Sequence, residues 1–353
     1  MGQSAWEFTL FHLPAYSAKK RQLVKYINNI LEINLKVNFL TKDSAVAEVI
    51  GTILIFAVVI TLVTSFLAWY IPVQQAHFET EYLQNTEEAF MSLAGSLHSD
   101  QQFTSLSATF PMGIGGTPPI TQPAGTELSL SPNLTLASIS SKVTVSLKNS
   151  TNVMSRYNII INASVSGQIE SLASLQYVAD SSYVMQDGSV IAVSGSNNSN
   201  LFLGPLPISV TDSSGNISLG ALISGIQGPP SVISSENPIQ LTFLNVFKEY
   251  QIINGSISSL NNSIAVVSLI MLSQFNYTIT SKYASSWDLG LYRAYNGSTV
   301  PEGSILSQGS WFFKGLPFKV TYSGYTLKVT LDASPLDLAE FTYYFSAVRL
   351  QQT

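Results

Sequence analysis

The stretch VIGTILIFAVVITLVTSFLAWYIP, residues 49–72, decides the fold because its 24 residues include no Asp, Glu, Lys or Arg. A helix rises about 1.5 Å per residue, so this stretch is long enough to cross a hydrocarbon layer of roughly 30 Å. Trp69 and Tyr70 stand near its C-terminal end, where interfacial aromatic residues are frequent. A buried core helix is the alternative, but such helices seldom run this far without a charged face. We therefore predict a membrane-spanning helix over 49–72.

The charges on either side of this helix predict its direction. Residues 1–48 carry six basic and four acidic groups, whereas four glutamates and no basic residue fall within 79–88. Because basic flanks stay on the cytoplasmic side, we expect a cytoplasmic N-terminus and an extracellular C-terminal domain, placing the protein in the cell membrane, at the cell surface or in a filament. Residues 73–353 hold 10 basic and 17 acidic groups. This acidic balance disfavours nucleic-acid binding.

The composition favours an exported β-rich domain. Only 10% of the residues are charged, and Ser, Thr, Asn and Gly make the surface polar without making it ionic. Such a surface also suits acidic surroundings, where carboxylates lose their charge. The chain has no Cys, so neither disulfides nor thiolate chemistry is available. A large exported domain without Cys fits a prokaryotic cell surface.

Triplets of the form Asn-x-Ser/Thr occur nine times, and all nine lie on the predicted outer side. A chain rich in Ser, Thr and Asn also produces such triplets by chance. The one-sided distribution therefore supports an extracellular domain more strongly than any single triplet does. The candidate glycosylation acceptors are Asn133, Asn149, Asn162, Asn197, Asn216, Asn254, Asn261, Asn276 and Asn296.

Changes in composition predict four segments. Apolar residues continue at helical spacing beyond the membrane, from Phe78 to Leu97, and indicate a helical stalk. A Pro- and Gly-rich stretch then indicates a linker, with a further break near 228–236 that would divide the outer domain into two lobes. The predicted segments are a cytoplasmic leader with an amphipathic helix at 1–45, a transmembrane helix and stalk at 46–98, a linker at 99–132, and an extracellular β-rich domain at 133–353.

The outer domain alternates polar and apolar residues with a period of two. Hairpin turns are predicted at Asp187-Gly188 and Ser323-Gly324. The fold class is therefore α+β, a long N-terminal membrane and stalk helix followed by an antiparallel β-sandwich-like extracellular domain. The predicted strands are 134–147, 157–165, 176–185, 190–193, 239–247, 264–272, 277–283, 318–322, 326–331 and 341–350.

Residues suited to catalysis are few. The histidines His12, His77 and His98 lack metal-ligand spacing, and the predicted topology keeps them from a triad in the β domain unless the stalk folds back. The pair Glu79 and Glu81 fits a solvated helix face. We predict no enzyme, no cofactor and no metal site. Four aromatic residues fit either sugar binding or a core, namely Trp287, Tyr292, Trp311 and Phe312.

A basic residue and small residues stand directly before the apolar run, in Lys42-Asp43-Ser44-Ala45-Val46. In a secretory signal peptide the small-residue cleavage site follows the apolar run, whereas here it precedes the run. Cleavage at this place would leave the hydrophobic helix on the mature protein. This arrangement, with VIGTIL opening the helix, resembles the N-terminus of archaeal type IV pilins and pilin-like proteins over residues 42–72. The segment 168–193 also resembles archaeal secreted pilin-like proteins.

The resemblance implies processing and assembly roles for residues at the start of the helix. A membrane-bound prepilin-type peptidase would cut after Ala45, leaving Val46 as the first mature residue. Glu48 would pair with the new amino terminus of a sibling subunit, and Gly51 would be a small contact point between helices. Judged from its position alone, Glu48 is a carboxylate favoured by the helix dipole, with Ser44 as the N-cap.

Two functions remain open at this stage. The first is a type IV pilin-like subunit, a minor or tip component of a filament for adhesion, with membrane lipid, the peptidase and sibling subunits as partners. The alternative is a single-pass, membrane-anchored, glycosylated surface protein whose adhesive or sugar-binding β domain forms no filament. Cleavage before Val46 would distinguish the two.

Overall fold

A computed structural model describes residues 44–99, 104–116, 121, 123–148, 153–179, 181–195, 200–213, 215–254, 257–260, 264–297, 309–332 and 335–351. The predicted amphipathic helix of the leader lies outside these residues. The chain forms two compact units, Met1–Leu67 and Ala68–Thr353. The helices are α1 (Ser44–His98) and α2 (Ala284–Asn296).

The strands are β1 (Ser105–Phe110), β2 (Thr126–Lys148), β3 (Val153–Leu172), β4 (Ser181–Gln186), β5 (Ser189–Ser194), β6 (Leu201–Gly204), β7 (Ile208–Ser213), β8 (Asn216–Gln227), β9 (Ser231–Ser235), β10 (Ile239–Asn254), β11 (Ile257–Leu260), β12 (Ile264–Thr280), β13 (Gly309–Phe312), β14 (Phe318–Ser323), β15 (Thr326–Leu331), β16 (Leu336–Leu338) and β17 (Glu340–Leu350). The predicted α+β class, with one long apolar helix before a mostly antiparallel β domain, is confirmed.

The β domain consists of two curled sheets. The smaller has the order β1-β10-β17-β8-β7, and within it β17 runs parallel to β8. The larger has the order β13-β14-β15-β12-β2-β3-β4-β5-β6, with β9, β11 and β16 attached to its side. The two predicted hairpin turns are confirmed, since Asp187-Gly188 joins β4 to β5 and Ser323-Gly324 lies between β14 and β15.

Two hydrophobic clusters fill the domain. One contains residues of both sheets and of helix α2, whose Trp287 and Leu291 are fully buried one turn apart. The other is built around the outer half of α1, from which Phe90, Leu93 and Leu97 pack against residues of both sheets. The stalk is therefore part of the core of the β domain.

Glycine permits the two sheets to approach each other closely. Gly225 on β8 is buried, and a Cβ atom there would lie 2.6 Å from the Cβ of Val165 on β3. Gly167 on β3 has a φ of +115°, and a Cβ there would meet the carbonyl oxygen of Ile226 at 2.0 Å. Larger residues at these two positions would push the sheets apart.

The structure corrects several predicted boundaries. The segment 99–132 is not simply a linker, because it contains β1 and the first residues of β2, and because Phe110, Met112 and Ile114 are buried. The break near 228–236 does not separate two lobes, since residues 68–353 form one compact unit and β9 pairs with β2 there. The predicted strands 264–272 and 277–283 merge into the single strand β12, which ends at Thr280, and α2 was not predicted.

Candidate functional site along helix α1

The first candidate site is the apolar half of α1. From Glu48 to Leu67 every side chain except Gly51 and Leu67 is exposed, including Ile53, Ile55 and Phe56, which are 61%, 67% and 66% exposed. This is the only helix among the described residues that is long and apolar enough to cross a membrane. A helix that is hydrophobic on every side requires lipid or other protein around it. The segment is therefore suited to act as a membrane anchor.

Hydroxyl groups within this half are bonded inside the helix. The Thr61 hydroxyl donates to the Ala57 carbonyl oxygen at 2.7 Å, and the Thr64 and Ser65 hydroxyls donate to Ile60 and Thr61 at 2.8 and 2.7 Å. Such bonds to the preceding turn satisfy polar groups without water. The polar residues of this half consequently add little cost to burial in lipid or in a helix bundle.

The predicted processing and assembly residues lie at the start of α1. Lys42 lies outside the described residues, while the backbone of Ala45 and Val46 forms the first turn of the helix. Glu48 is exposed. Gly51 has nothing within 4 Å of the place that a Cβ would take. The processing and assembly roles of these residues stay predictions.

The outer half of α1 has one buried face. Apart from the adjacent pair Leu93 and Ala94, its buried residues follow one another at steps of three or four, the repeat expected for one face of a helix. Polar residues occupy the start of this face and apolar residues its end. The buried positions are Gln75, Glu79, Tyr82, Thr86, Phe90, Leu93, Ala94 and Leu97.

Glu79 binds a loop of the β domain through its carboxylate. Its Oε1 accepts the backbone N–H of Gln176 at 2.9 Å, and its Oε2 accepts those of Tyr177 and Val178, both at 2.8 Å. Glu79 is only 4% exposed, whereas Glu81 lies on the exposed face. The expectation of a solvated acidic pair is therefore wrong for Glu79. Three convergent N–H donors stabilise an ionised carboxylate that burial would otherwise destabilise.

A second carboxylate on the same helix holds the sheet beside this loop. Glu87 accepts the hydroxyl of Tyr183 on β4 at 3.0 Å. Burial, together with the neighbouring Glu87 charge, raises the pKa of Tyr183 well above its usual value. Tyr183 therefore remains a neutral donor, and Glu79 and Glu87 together fix one face of α1 against the segment 176–183.

His98, the last residue of α1, lies beside a buried polar cluster formed by Asp187, Ser224 and Tyr277. A Cβ added to Gly188 would lie 2.5 Å from Nε2 of His98 and 3.0 Å from Cβ of Ser224, so these residues converge on the β4–β5 turn. The neighbouring Asp187 accepts the Tyr277 hydroxyl at 2.5 Å and the Ser224 N–H at 2.7 Å. His98 was expected to lie apart from the β domain, and that expectation is wrong because the stalk packs into the domain. Asp187 and Ser224 are 3% and 1% exposed, so this polar cluster lies within the core.

Burial shifts the pKa values of Asp187 and His98 in opposite directions. It raises the pKa of Asp187 from 3.8 to about 8, against the opposing effect of the hydrogen bonds from Tyr277 and Ser224. It lowers the pKa of His98 from 6.5 to about 4, although a hydrogen bond with the Gly188 backbone opposes the shift. The two groups thus oppose each other in their effect on stability as the pH changes.

The four candidate sugar-binding aromatics have different surroundings. Trp287 is fully buried and donates its Nε1–H to Gln186 at 3.3 Å, so it belongs to the core. Trp311 is half-buried, with its ring centre 5.2 Å from that of Tyr292, and it donates to Asp288 at 2.8 Å. Phe312 is 47% exposed. Of the four, Phe312 is the most exposed.

The candidate glycosylation acceptors also differ. Asn149, Asn197 and Asn261 lie outside the described residues. Asn296 donates its Nδ2–H to the Phe312 carbonyl oxygen at 3.0 Å and accepts the Lys314 N–H at 2.8 Å, so the nitrogen that a glycan would use is engaged. Asn276 is half-buried. The exposed acceptors are Asn133, Asn162, Asn216 and Asn254.

No protein-family model, no curated protein and no solved structure matches this chain. Within the described ranges, no group of three or more His, Cys, Asp or Glu residues is placed to hold a metal ion.

We expect Glu79→Ala to destabilise the β domain by about 2–4 kcal/mol, because three backbone N–H groups would lose a charged acceptor. Chemical denaturation of the detergent-solubilised full chain, followed by circular dichroism, measures this change. Glu81→Ala removes the same side chain two residues away on the exposed face and should change stability by less than about 0.5 kcal/mol. Equal losses in the two variants would show that the Glu79 contact contributes nothing specific.

Stability should also depend on pH through Asp187. Its folded pKa is raised, so its contribution is full below pH 3.8 and is lost as the pH rises to about 8. The folded pKa of His98 is lowered, so its contribution to stability is full above pH 6.5 and is lost as the pH falls to about 4. Above the His98 range, from pH 6.5 to 8, only the Asp187 effect of the two remains, and stability should fall by about 2 kcal/mol.

The measurement is the unfolding free energy at a series of pH values. Asp187→Asn should remove the decline between pH 6.5 and 8, since the amide keeps an acceptor for Ser224 and does not titrate. Asp212→Asn, at the exposed end of β7, should keep the decline. A slope that persists unchanged in Asp187→Asn would contradict the assignment.

Proposed function

We propose that this chain is a type IV pilin-like subunit, a minor or tip component of a cell-surface filament for adhesion, with no catalytic role. The observation that carries the proposal is the apolar half of α1. Its side chains are apolar around the whole helix, and the described part of the chain buries none of the apolar window. Such a surface must be covered by lipid before assembly and by sibling helices afterwards.

The apolar surface of α1 stays buried when the helix leaves the membrane and enters a filament core. Head-to-tail contacts between subunits extend into a filament when their rotation does not close a ring. The internal hydrogen bonds of Thr61, Thr64 and Ser65 support this transfer, because these hydroxyls need no partner from either environment. Gly51 leaves open space where a neighbouring helix can approach.

Glu48 gives the proposal a specific contact. It is the only ionisable residue between 48 and 67, and its carboxylate is exposed at the start of the helix. A carboxylate that enters a filament core needs a cationic partner, because an unpaired buried charge is costly. Processing before Val46 would create such a cation, the new amino terminus of a sibling subunit. An extracellular, glycosylated and β-sandwich-like outer domain completes the proposal.

The alternative is a single-pass, glycosylated surface protein that forms no filament. An anchor needs only the length and apolar character of α1, and an uncleaved leader would keep its basic residues at the cytoplasmic face. The exposed Phe312 and the exposed acceptor Asn216 fit this role equally well. The two functions therefore differ in processing and in the need for Glu48.

Processing is tested by sequencing the N-terminus of the protein extracted from its native membrane. We expect the mature chain to begin at Val46, and we expect Ala45→Leu to block cleavage because a bulky residue replaces the small one at the cut. Ala57→Leu, in the middle of the apolar half, is the matched control and should be processed normally. An intact terminus at Met1 or Gly2 in the unaltered protein would favour the plain anchor.

Assembly is tested by the yield of filaments sheared from cells. Glu48→Gln should lower the yield at least about tenfold while leaving the amount of subunit in the membrane unchanged, because the buried amino terminus loses its counter-charge. Glu88→Gln, on the exposed outer face of the same helix, should leave both quantities unchanged. The proposal would be overturned by an absence of filaments in the unaltered strain or by equal yields from the two variants.

A further inference from the structure

The outward face of the larger sheet carries two continuous rows of polar side chains. Strand pairing sets residues from six strands directly opposite one another, and neighbouring strands lie about 4.8 Å apart. The first row is Phe312, Lys319, Thr330, Asn276, Ser140 and Asn162. The second row is Ser310, Thr321, Lys328, Thr278, Ser138 and Ser164.

These rows carry positive charge on a negatively charged chain. They contain Lys319 and Lys328 and no acidic residue, although the whole chain has a net charge of −5. Lys142 extends the face on β2, opposite Ile160 of β3 and Gln274 of β12. Clustered charges of one sign raise the local concentration of ligands of the opposite sign. The face is therefore suited to an anionic ligand.

One end of the first row offers an aromatic ring beside a cation. Phe312 is 47% exposed, and the Nζ of Lys319 lies 5.9 Å from the centre of its ring. Asn296 bonds the Phe312 carbonyl oxygen and the Lys314 N–H, so the backbone that carries the ring is held at the C-terminal end of β13. An exposed ring next to an ammonium group can stack on a sugar while the cation pairs with an acidic substituent.

The middle of the rows forms a shallow depression of about 460 Å³. Its floor combines hydroxyl and amide groups with one cation, Lys328. The Ser140 hydroxyl donates to Oδ1 of Asn162 at 2.7 Å, which orders this part of the floor. Hydroxyls and amides both donate and accept hydrogen bonds, as the many hydroxyls of a carbohydrate require.

The composition of this face favours a carbohydrate over a protein partner. Protein interfaces are enriched in the aromatic residues Tyr, Trp and Phe and in Met and Arg, and they are depleted in Lys and Ser. The two rows instead consist mainly of Ser, Thr, Asn and Lys, with Phe312 as their only aromatic residue. We propose that the face formed by β13, β14, β15, β12, β2 and β3 binds an anionic polysaccharide, with Phe312 stacking on a sugar ring and Lys319 and Lys328 pairing with its carboxylates.

Polygalacturonate is a suitable probe, and its fully methyl-esterified form is the matched uncharged control. Binding is measured by biolayer interferometry with immobilised polymer and the full chain in detergent. We expect binding to polygalacturonate that weakens as salt is added, and little binding to the esterified polymer. This assay needs no filament, so it is independent of the proposed assembly.

Variants locate the binding on this face. Lys328→Ala should weaken binding about three- to fivefold, as expected for the loss of one exposed ion pair. Phe312→Ala should weaken it by about the same factor through the loss of ring stacking. The controls are Arg349→Ala and Tyr250→Ala, which remove an exposed cation and an exposed aromatic ring from the smaller sheet and should leave binding unchanged.

Several results would overturn the proposal. They are an absence of binding to polygalacturonate, equal binding to the esterified polymer, and equal losses in the control variants. Asn162 and Asn276 are also candidate glycosylation acceptors within the first row. Mass spectrometry of the native protein should find them unmodified, and a glycan on either residue would cover the face and overturn the proposal as well.

Discussion

The structure depends on one helix that must satisfy two different surroundings. Up to Leu67 the helix α1 has apolar side chains on every side, and from Gln75 onward it has one buried face within the β domain. Phe90, Leu93 and Leu97 belong to a hydrophobic cluster shared with both sheets. The β domain therefore cannot bury this cluster without the helix, and the element that carries the apolar surface is also part of the core.

Directional contacts define the position of α1 in this core. Apolar packing alone is non-directional and tolerates a shift of a helix along its neighbours. The three hydrogen bonds to Glu79 and the one to Glu87 fit only one axial position, because each carboxylate must meet donors from the segment 176–183. Burying carboxylates is costly unless they are well bonded, so these contacts specify one arrangement rather than simply adding stability.

The sequence predicted the features that depend on local patterns. The charge-free run, the helical spacing beyond it and the Asp187-Gly188 turn all follow from neighbouring residues. The role of Glu79 could not be predicted in this way, because its partners lie 97 to 99 residues further along the chain. Strand β12 was divided in two because a register shift between Leu272 and Gln274 interrupts its alternation. The helix α2 was missed because its burial depends on Trp287 and Leu291 contacting distant strands.

The polar face of the larger sheet also could not be predicted from local sequence patterns. Each of its residues looks like an ordinary exposed position when it is read along its own strand. Only the pairing register places Phe312 and Lys319 in one row with Asn162, which lies 150 positions before Phe312. The two rows contain no acidic side chain that would neutralise Lys319 and Lys328. The Ser-, Thr- and Asn-rich composition thus gains a function through strand order, and that function is equally useful to an anchored protein and to a filament subunit.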